Sequence, residues 1–189
     1  MDIIVSTEQQ NKVHPHKFIM WVALASIIMM FAGLTSAFIV KSSQAGWIEI
    51  DLPRAFSYST ASIIISSITI QLALRAFKQR NMQQYRTLLV TTTVLGILFV
   101  VLQAVGFNWL WTRGIRFKGA GPGQFLYVIA GIHALHVIGG IIALLMQTAK
   151  AFFGRTKNYN AVPIEIVSTY WHFVDILWIY LLVFFVWIG

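Results

Sequence analysis

The chain has 189 residues, of which 58% are hydrophobic and 11% charged, with 14 lysines and arginines, 6 carboxylates and no cysteine. So apolar a balance excludes a water-soluble domain of this size, and the missing cysteine excludes disulfide frameworks and thiolate metal sites, leaving histidine and carboxylate as the strong ligand types. The net charge of +8 does not indicate nucleic acid, because the basic residues lie between apolar stretches, where loop charge sets membrane orientation.

Residues 1–17 form a polar tail without the apolar core of a signal peptide, so the span that follows reads as a retained helix and not as a cleaved leader. A helix needs about 20 apolar residues to cross the hydrocarbon core. The first such stretch covers 18–40 and places Ser26, Gly33 and Ser36 on one face. The second, 55–77, has a stripe of Ser59, Ser62, Ser66 and Thr69, and the third covers 87–110. The segment Arg116-Phe-Lys-Gly-Ala-Gly-Pro-Gly123 reads as a turn-rich exterior loop. The fourth span, 124–149, aligns His133, His136, Gly140, Ala143 and Gln147. The fifth, 163–188, aligns Glu165, Ser168, His172 and Asp175. Small and hydroxyl residues along one face suit helix–helix contact in lipid, where they permit close backbone approach and interhelical hydrogen bonds.

These spans lack the alternation of barrel strands, so the expected fold is an all-α bundle of five transmembrane helices, with 18–189 as one membrane domain. No segment outside the spans is long enough to fold alone. Nine basic residues fall on the side that holds the N-terminus: Lys12, Lys17, Arg75, Lys78, Arg80, Arg86, Lys150, Arg155 and Lys157. Five fall on the other: Lys41, Arg54, Arg113, Arg116 and Lys118. The positive-inside rule then predicts a cytoplasmic N-terminus and a C-terminus on the outer, periplasmic side.

The ionisable groups of the last two spans need a separate account. His133 and His136 lie nine and twelve residues from Gln124, and His172 and Asp175 lie nine and twelve from Pro163. At 1.5 Å per residue each group is about 14–18 Å deep, near the bilayer midplane. Antiparallel neighbours would set two histidines opposite a histidine and an aspartate. Three readings fit that pattern: a metal site of three imidazoles and a carboxylate, a bis-histidine haem site, or a buried polar network in which Asp175 accepts from an imidazole and fixes two helices in register.

Two longer matches then narrow the choice. Thr169-Tyr-Trp-His-Phe-Val-Asp-Ile-Leu-Trp178 resembles the C-terminal signature of subunit III of the haem-copper terminal oxidases, and Gly131-Ile-His-Ala-Leu-His-Val-Ile-Gly139 is similar to the family's Gly-Phe-His-Gly-Leu-His-Val-Ile-x-Gly pattern. The last helix ends in Phe184-Phe-Val-Trp-Ile-Gly189, again like the family, and Glu165 falls where the family has a glutamate. Ala25-Ser-Ile-Ile-Met-Met-Phe-Ala-Gly33 is similar to the family's Ser-Glu-Val-x-Phe-Phe-Ala-Gly segment, except that Ile27 stands in place of its membrane-buried glutamate. With five spans where the long form has seven, the chain resembles the short bacterial form, in the inner membrane.

The resemblance implies a non-catalytic subunit of a proton-pumping, oxygen-reducing oxidase of the respiratory chain. It implies no redox centre in this chain, with haems and copper in partner subunits, direct packing on subunit I, association with subunit II and the other oxidase subunits, membership of a larger respiratory supercomplex as one arrangement, bound phospholipid, and support of proton uptake. It makes His133, His136, His172 and Asp175 an interior polar network and Glu165, Tyr170, Trp171 and Trp178 signature residues, with no catalytic or metal-ligating residue. An accessory subunit of nitric-oxide reductase and a haem-binding membrane anchor are the alternative readings.

Overall fold

A computed structural model describes residues 15–42, 55–112, 122–153 and 161–188, all but a few of them in five helices: α1 (Pro15–Ser42), α2 (Ala55–Lys78), α3 (Met82–Thr112), α4 (Pro122–Phe153) and α5 (Val162–Ile188). Each is long and apolar enough to cross a membrane. The helices outrun the apolar stretches because polar residues at the bilayer edge still favour helix. α1 takes in His16 and Lys17, starting at Pro15, and α3 starts at Met82 instead of 87. Proline suits a first turn, where its missing N–H has no intrahelical acceptor. Pro15–Lys17 is therefore helix and not tail, while residues 1–14 and most of the 116–123 loop lie outside the described residues.

The tight α2–α3 connection shows how local sequence sets a helix hairpin. Arg80 adopts φ 60°, and the Arg80 and Asn81 amides donate to the carbonyls of Phe77 and Ala76 at 3.0 Å, closing the orphaned C-terminal groups of α2. Asn81 then caps α3: its Oδ1 accepts from the Gln84 amide at 3.3 Å, and its Nδ2 donates back to Gln84 Oε1 at 3.2 Å. The two helices that emerge run antiparallel in continuous contact.

α5 occupies the centre and packs on α1, α2 and α4, while α3 bridges α2 to α4. Among the described helices, α1 packs on α4 and α5 alone. A groove is thus left between α1 and α2 over α5. The predicted serine stripe of α2 is buried and bonded. Ser62 and Ser66 donate to the α3 carbonyls of Leu95 and Thr92 at 3.2 Å, Thr69 Oγ1 meets Thr92 Oγ1 at 2.8 Å, and Gln103 Nε2 donates to Ser59 Oγ at 2.7 Å. Interhelical hydrogen bonds in membranes average about 0.6 kcal/mol. This seam therefore fixes register more than it supplies stability, and close packing carries the rest. The small-residue face expected on α1 turns out otherwise: Ser26, Gly33 and Ser36 are exposed, and α1 buries Leu24, Phe31, Thr35 and Phe38 instead. Large aromatic side chains reach a neighbouring helix where small ones do not.

Candidate functional site

The polar and aromatic side chains of α5 divide by the helix they reach. Trp171 is fully buried and enters a socket made by glycines on two other helices: a Cβ on Gly96 of α3 would stand 2.8 Å from its ring, and one on Gly140 of α4 3.0 Å away. Its indole N–H donates to Ser66 Oγ of α2 at 3.1 Å. Trp178, two turns on, donates to Thr60 Oγ1 of α2 at 3.0 Å and meets Phe56 and Phe99 edge-on. Tyr170 donates to the His136 carbonyl of α4 at 3.0 Å. These three rings are the pegs that hold α2, α3 and α4 around α5.

At the basic end of the bundle, Glu165 joins three helices. Lys17 of α1 and Lys78 of α2 pair with its two carboxylate oxygens at 2.7 and 2.8 Å. The groove between α1 and α2 opens here, with a volume of about 410 Å³, walled by Trp21, Leu74 and Ile166 and reaching Gln71 and His172.

The four residues predicted to face one another do not form one network. His172 turns to α2, where its Nδ1 meets Ser67 Oγ at 2.5 Å and its Nε2 meets Gln71 Oε1 at 3.3 Å. His136 Nδ1 is 2.8 Å from the Ile132 carbonyl of its own helix. His133, 2% exposed, is stacked on Trp178 at 5.5 Å between centroids and meets Phe31 of α1 edge-on. Neither of its nitrogens has a hydrogen-bond partner. Asp175 is 3% exposed with both carboxyl oxygens unpartnered, so it accepts from no imidazole. The physical reason is rotation: at its depth α5 turns His172 toward α2, away from the α4 histidines. A bis-histidine pair across α4 and α5 is accordingly not formed, and among the described residues no three histidines or carboxylates come together as a metal-binding group.

Sequence reasoning missed Ser67 and Gln71, the partners of His172, because both lie off the α2 stripe that periodicity picked out. It also missed the Gly96 socket. Glycine at position 96 inside an apolar helix was the available signal, since an interior glycine there marks close approach by something bulky.

The family described as cytochrome c oxidase subunit III matches residues 15–189. The protein of Mycobacterium leprae named probable cytochrome c oxidase subunit 3 is 34% identical over 161 residues, covering 82% of this chain and 79% of the relative. Its counterpart in Mycobacterium tuberculosis H37Rv is also 34% identical, over 167 residues, covering 85% and 81%. A probable quinol oxidase subunit 3 of Staphylococcus haemolyticus is 31% identical over 125 residues, covering 65% and 61%.

Proposed function

The chain belongs to the cytochrome c oxidase subunit III family, and we propose that it acts within its haem-copper oxidase as a non-catalytic subunit that packs directly on subunit I and supports proton uptake there. As a member of that family it is a multi-pass protein of a bacterial inner membrane and a component of the oxidase complex. The match does not favour a nitric-oxide reductase subunit or a haem anchor.

The observation that carries the non-catalytic reading is how the ionisable groups of α4 and α5 are used. His172 is bonded to α2, His136 to its own backbone, and His133 is enclosed by Phe31 and Trp178. Each serves the packing of this chain, and the three do not turn ligand atoms toward one shared point. On the family resemblance, haems and copper belong to subunits I and II, and the choice of electron donor to subunit II. His133, His136, His172 and Asp175 act as interior residues, and Glu165, Tyr170, Trp171 and Trp178 as the contacts that hold the bundle in the form that subunit I receives. The N-terminus is cytoplasmic, which places the Lys17–Glu165–Lys78 cluster at the inner headgroup level. The groove beneath it offers cations above apolar walls, a fit for a phospholipid.

An affinity tag on this chain tests the reading. The tagged complex is expected to bring down a haem-bearing subunit I, and this chain, once separated, to be colourless and free of stoichiometric metal. A Soret band, or one tightly held metal ion per separated chain, overturns it.

A further inference from the structure

Asp175 is the one carboxyl among the described residues that has no hydrogen-bond donor and no counter-charge. It is enclosed by its own chain at 3% exposure, so neither a partner subunit nor a lipid headgroup supplies what it lacks. Glu165, the other carboxyl among the described residues, holds two ion pairs. Around Asp175, α2 contributes the Ser67 hydroxyl, which lies beside the carboxyl but short of hydrogen-bond geometry. α5 contributes His172, one turn earlier. Of the remaining charged or titratable groups, Lys17 of α1 is at the groove, Arg86 of α3 is over Phe152, His133 of α4 is against Trp178, and His136 is bonded to its own backbone. An ionised carboxyl inside the bilayer with no partner is strongly disfavoured. A bound proton removes that cost, and it needs a way in and out.

The hydrogen bonds of His172 define such a way. Gln71 Oε1 is an acceptor, so the His172 Nε2 that faces it at 3.3 Å carries hydrogen and donates. In the neutral ring Nδ1 is then an acceptor, and the Ser67 hydroxyl donates to it across 2.5 Å. Ser67 Oγ, having donated to Nδ1, keeps lone pairs with which it can accept. His172 and Gln71 line the α1–α2 groove, so the hydrogen-bonded series runs from Ser67, beside the buried carboxyl, to the open cleft, and the Asp175–Ser67 step closes by side-chain motion.

We propose that Asp175 is a proton-exchanging carboxyl connected to the α1–α2 groove through Ser67 and His172. On release, the Asp175 proton passes to Ser67 Oγ, the Ser67 proton passes to His172 Nδ1, and the Nε2 proton leaves to water in the groove. One proton enters the series and one leaves it. Asp175 ends ionised, Ser67 keeps a hydroxyl of reversed direction, and His172 ends as the Nδ1–H tautomer. Uptake is the reverse. The inference rests on this chain's geometry and stands apart from its assignment to an oxidase.

Infrared difference spectroscopy of the purified complex in H2O and D2O tests it. A carboxylic C=O band is expected that vanishes in Asp175→Asn, shifts in Asp175→Glu, and shows its deuterium shift promptly in the wild type. In His172→Leu and in Ser67→Ala the band persists while its deuterium shift slows at least about tenfold. Asp175→Glu keeps the assignment decidable if Asp175→Asn does not assemble. Absence of a band that answers to residue 175 overturns the proposal, and so does an exchange rate unchanged by both His172→Leu and Ser67→Ala.

Discussion

α5 buries eleven side chains along 27 residues, among them Trp171, Trp178 and Asp175, whereas α1 buries four along 28. Both helices are apolar enough to span a membrane, so hydropathy alone does not distinguish them. In water the exposed flank of α1 would be a large liability, but lipid solvates it at little cost, and burial inside the bundle must come from fit and hydrogen bonding. α5 has both: three ring donors, the socket of two glycines around Trp171, and the Glu165 clamp. α1 has a few aromatic contacts, the Thr35–Tyr180 bond at 3.0 Å and Lys17. In this bundle, position is decided by large side chains facing small ones.

The largest effect is expected where that fit is tightest. Gly96→Leu would drive a side chain into Trp171, which is held from the other side by Gly140 and Ser66. Overpacking of a filled core costs about 1–3 kcal/mol, and the Trp171–Ser66 bond goes with it. The expected outcome is a several-fold fall in assembled complex on native gels. Gly33→Leu is the matched change on α1, where an added Cβ meets nothing within 4 Å in this chain. It should leave the fold of the separated chain intact. If it nonetheless removes the subunit from the complex, the exposed face of α1 is a protein contact and not a lipid-facing one.

A smaller loss is expected at Asp175. Breaking a buried ion pair typically costs about 3–5 kcal/mol because the partner is stranded. Asp175 has no such partner, so Asp175→Ala should cost about 1 kcal/mol, in the range of an ordinary substitution. Thermal dissociation of the complex should shift by a few degrees at most, and initial oxygen reduction should change little. A complex of normal yield and durability that is inactive from the first turnover would show that the residue acts in turnover itself.

Glu165→Gln comes next. It removes both ion pairs that tie α1 and α2 to α5, but the lysines are substantially exposed, with side chains 41% and 55% accessible. Such pairs are worth about 0.2–1 kcal/mol each. α1 should loosen more than α2, which keeps its hydroxyl bonds to α3 and α5, so amide exchange at the basic end of α1 is the measurement. Equal loosening of both helices would mean that the α2 seam is weaker than its geometry indicates.

How far the sequence carried these conclusions follows from what periodicity encodes. Because apolar length and the 3.6-residue repeat are local properties, spacing identified all five helices and the buried serines of α2, but only His133 and Gly140 of the α4 stripe and Ser168 and Asp175 of the α5 stripe are buried. It did not reveal that α1 turns Ser26 and Gly33 outward, nor that His172 reaches Ser67 and Gln71 instead of the α4 histidines. Those facts depend on which helices are neighbours and how each is rotated against the next, and no single helix carries that information. Equal depth of His133, His136, His172 and Asp175 suggested a cluster; depth is one coordinate of three. The family resemblance points away from a metal or haem site and toward one interior network of those four residues, which the geometry divides.

The smallest expected effect is none at all. The family's membrane-buried glutamate is matched here by Ile27, which is half-buried and packed against the core. Carbodiimides add to protonated carboxyls shielded from water, and an isoleucine has neither the proton nor the oxygen. Residues 18–40 contain no aspartate or glutamate, so the expectation does not depend on the alignment at Ile27. Treatment of the purified complex followed by peptide mapping should find no adduct anywhere in α1. Labelling of this chain should fall on Asp175 or Glu165, or on Glu49 and Asp51 of the α1–α2 connection. Glu165 is held as a carboxylate by two lysines, which makes Asp175 the favoured target inside the bundle. Inhibition of proton pumping by such treatment must then be traced to another carboxyl, in this chain or in a partner. An adduct recovered from a peptide within 18–40 would refute the reading of α1 as a helix that carries no exchangeable acid.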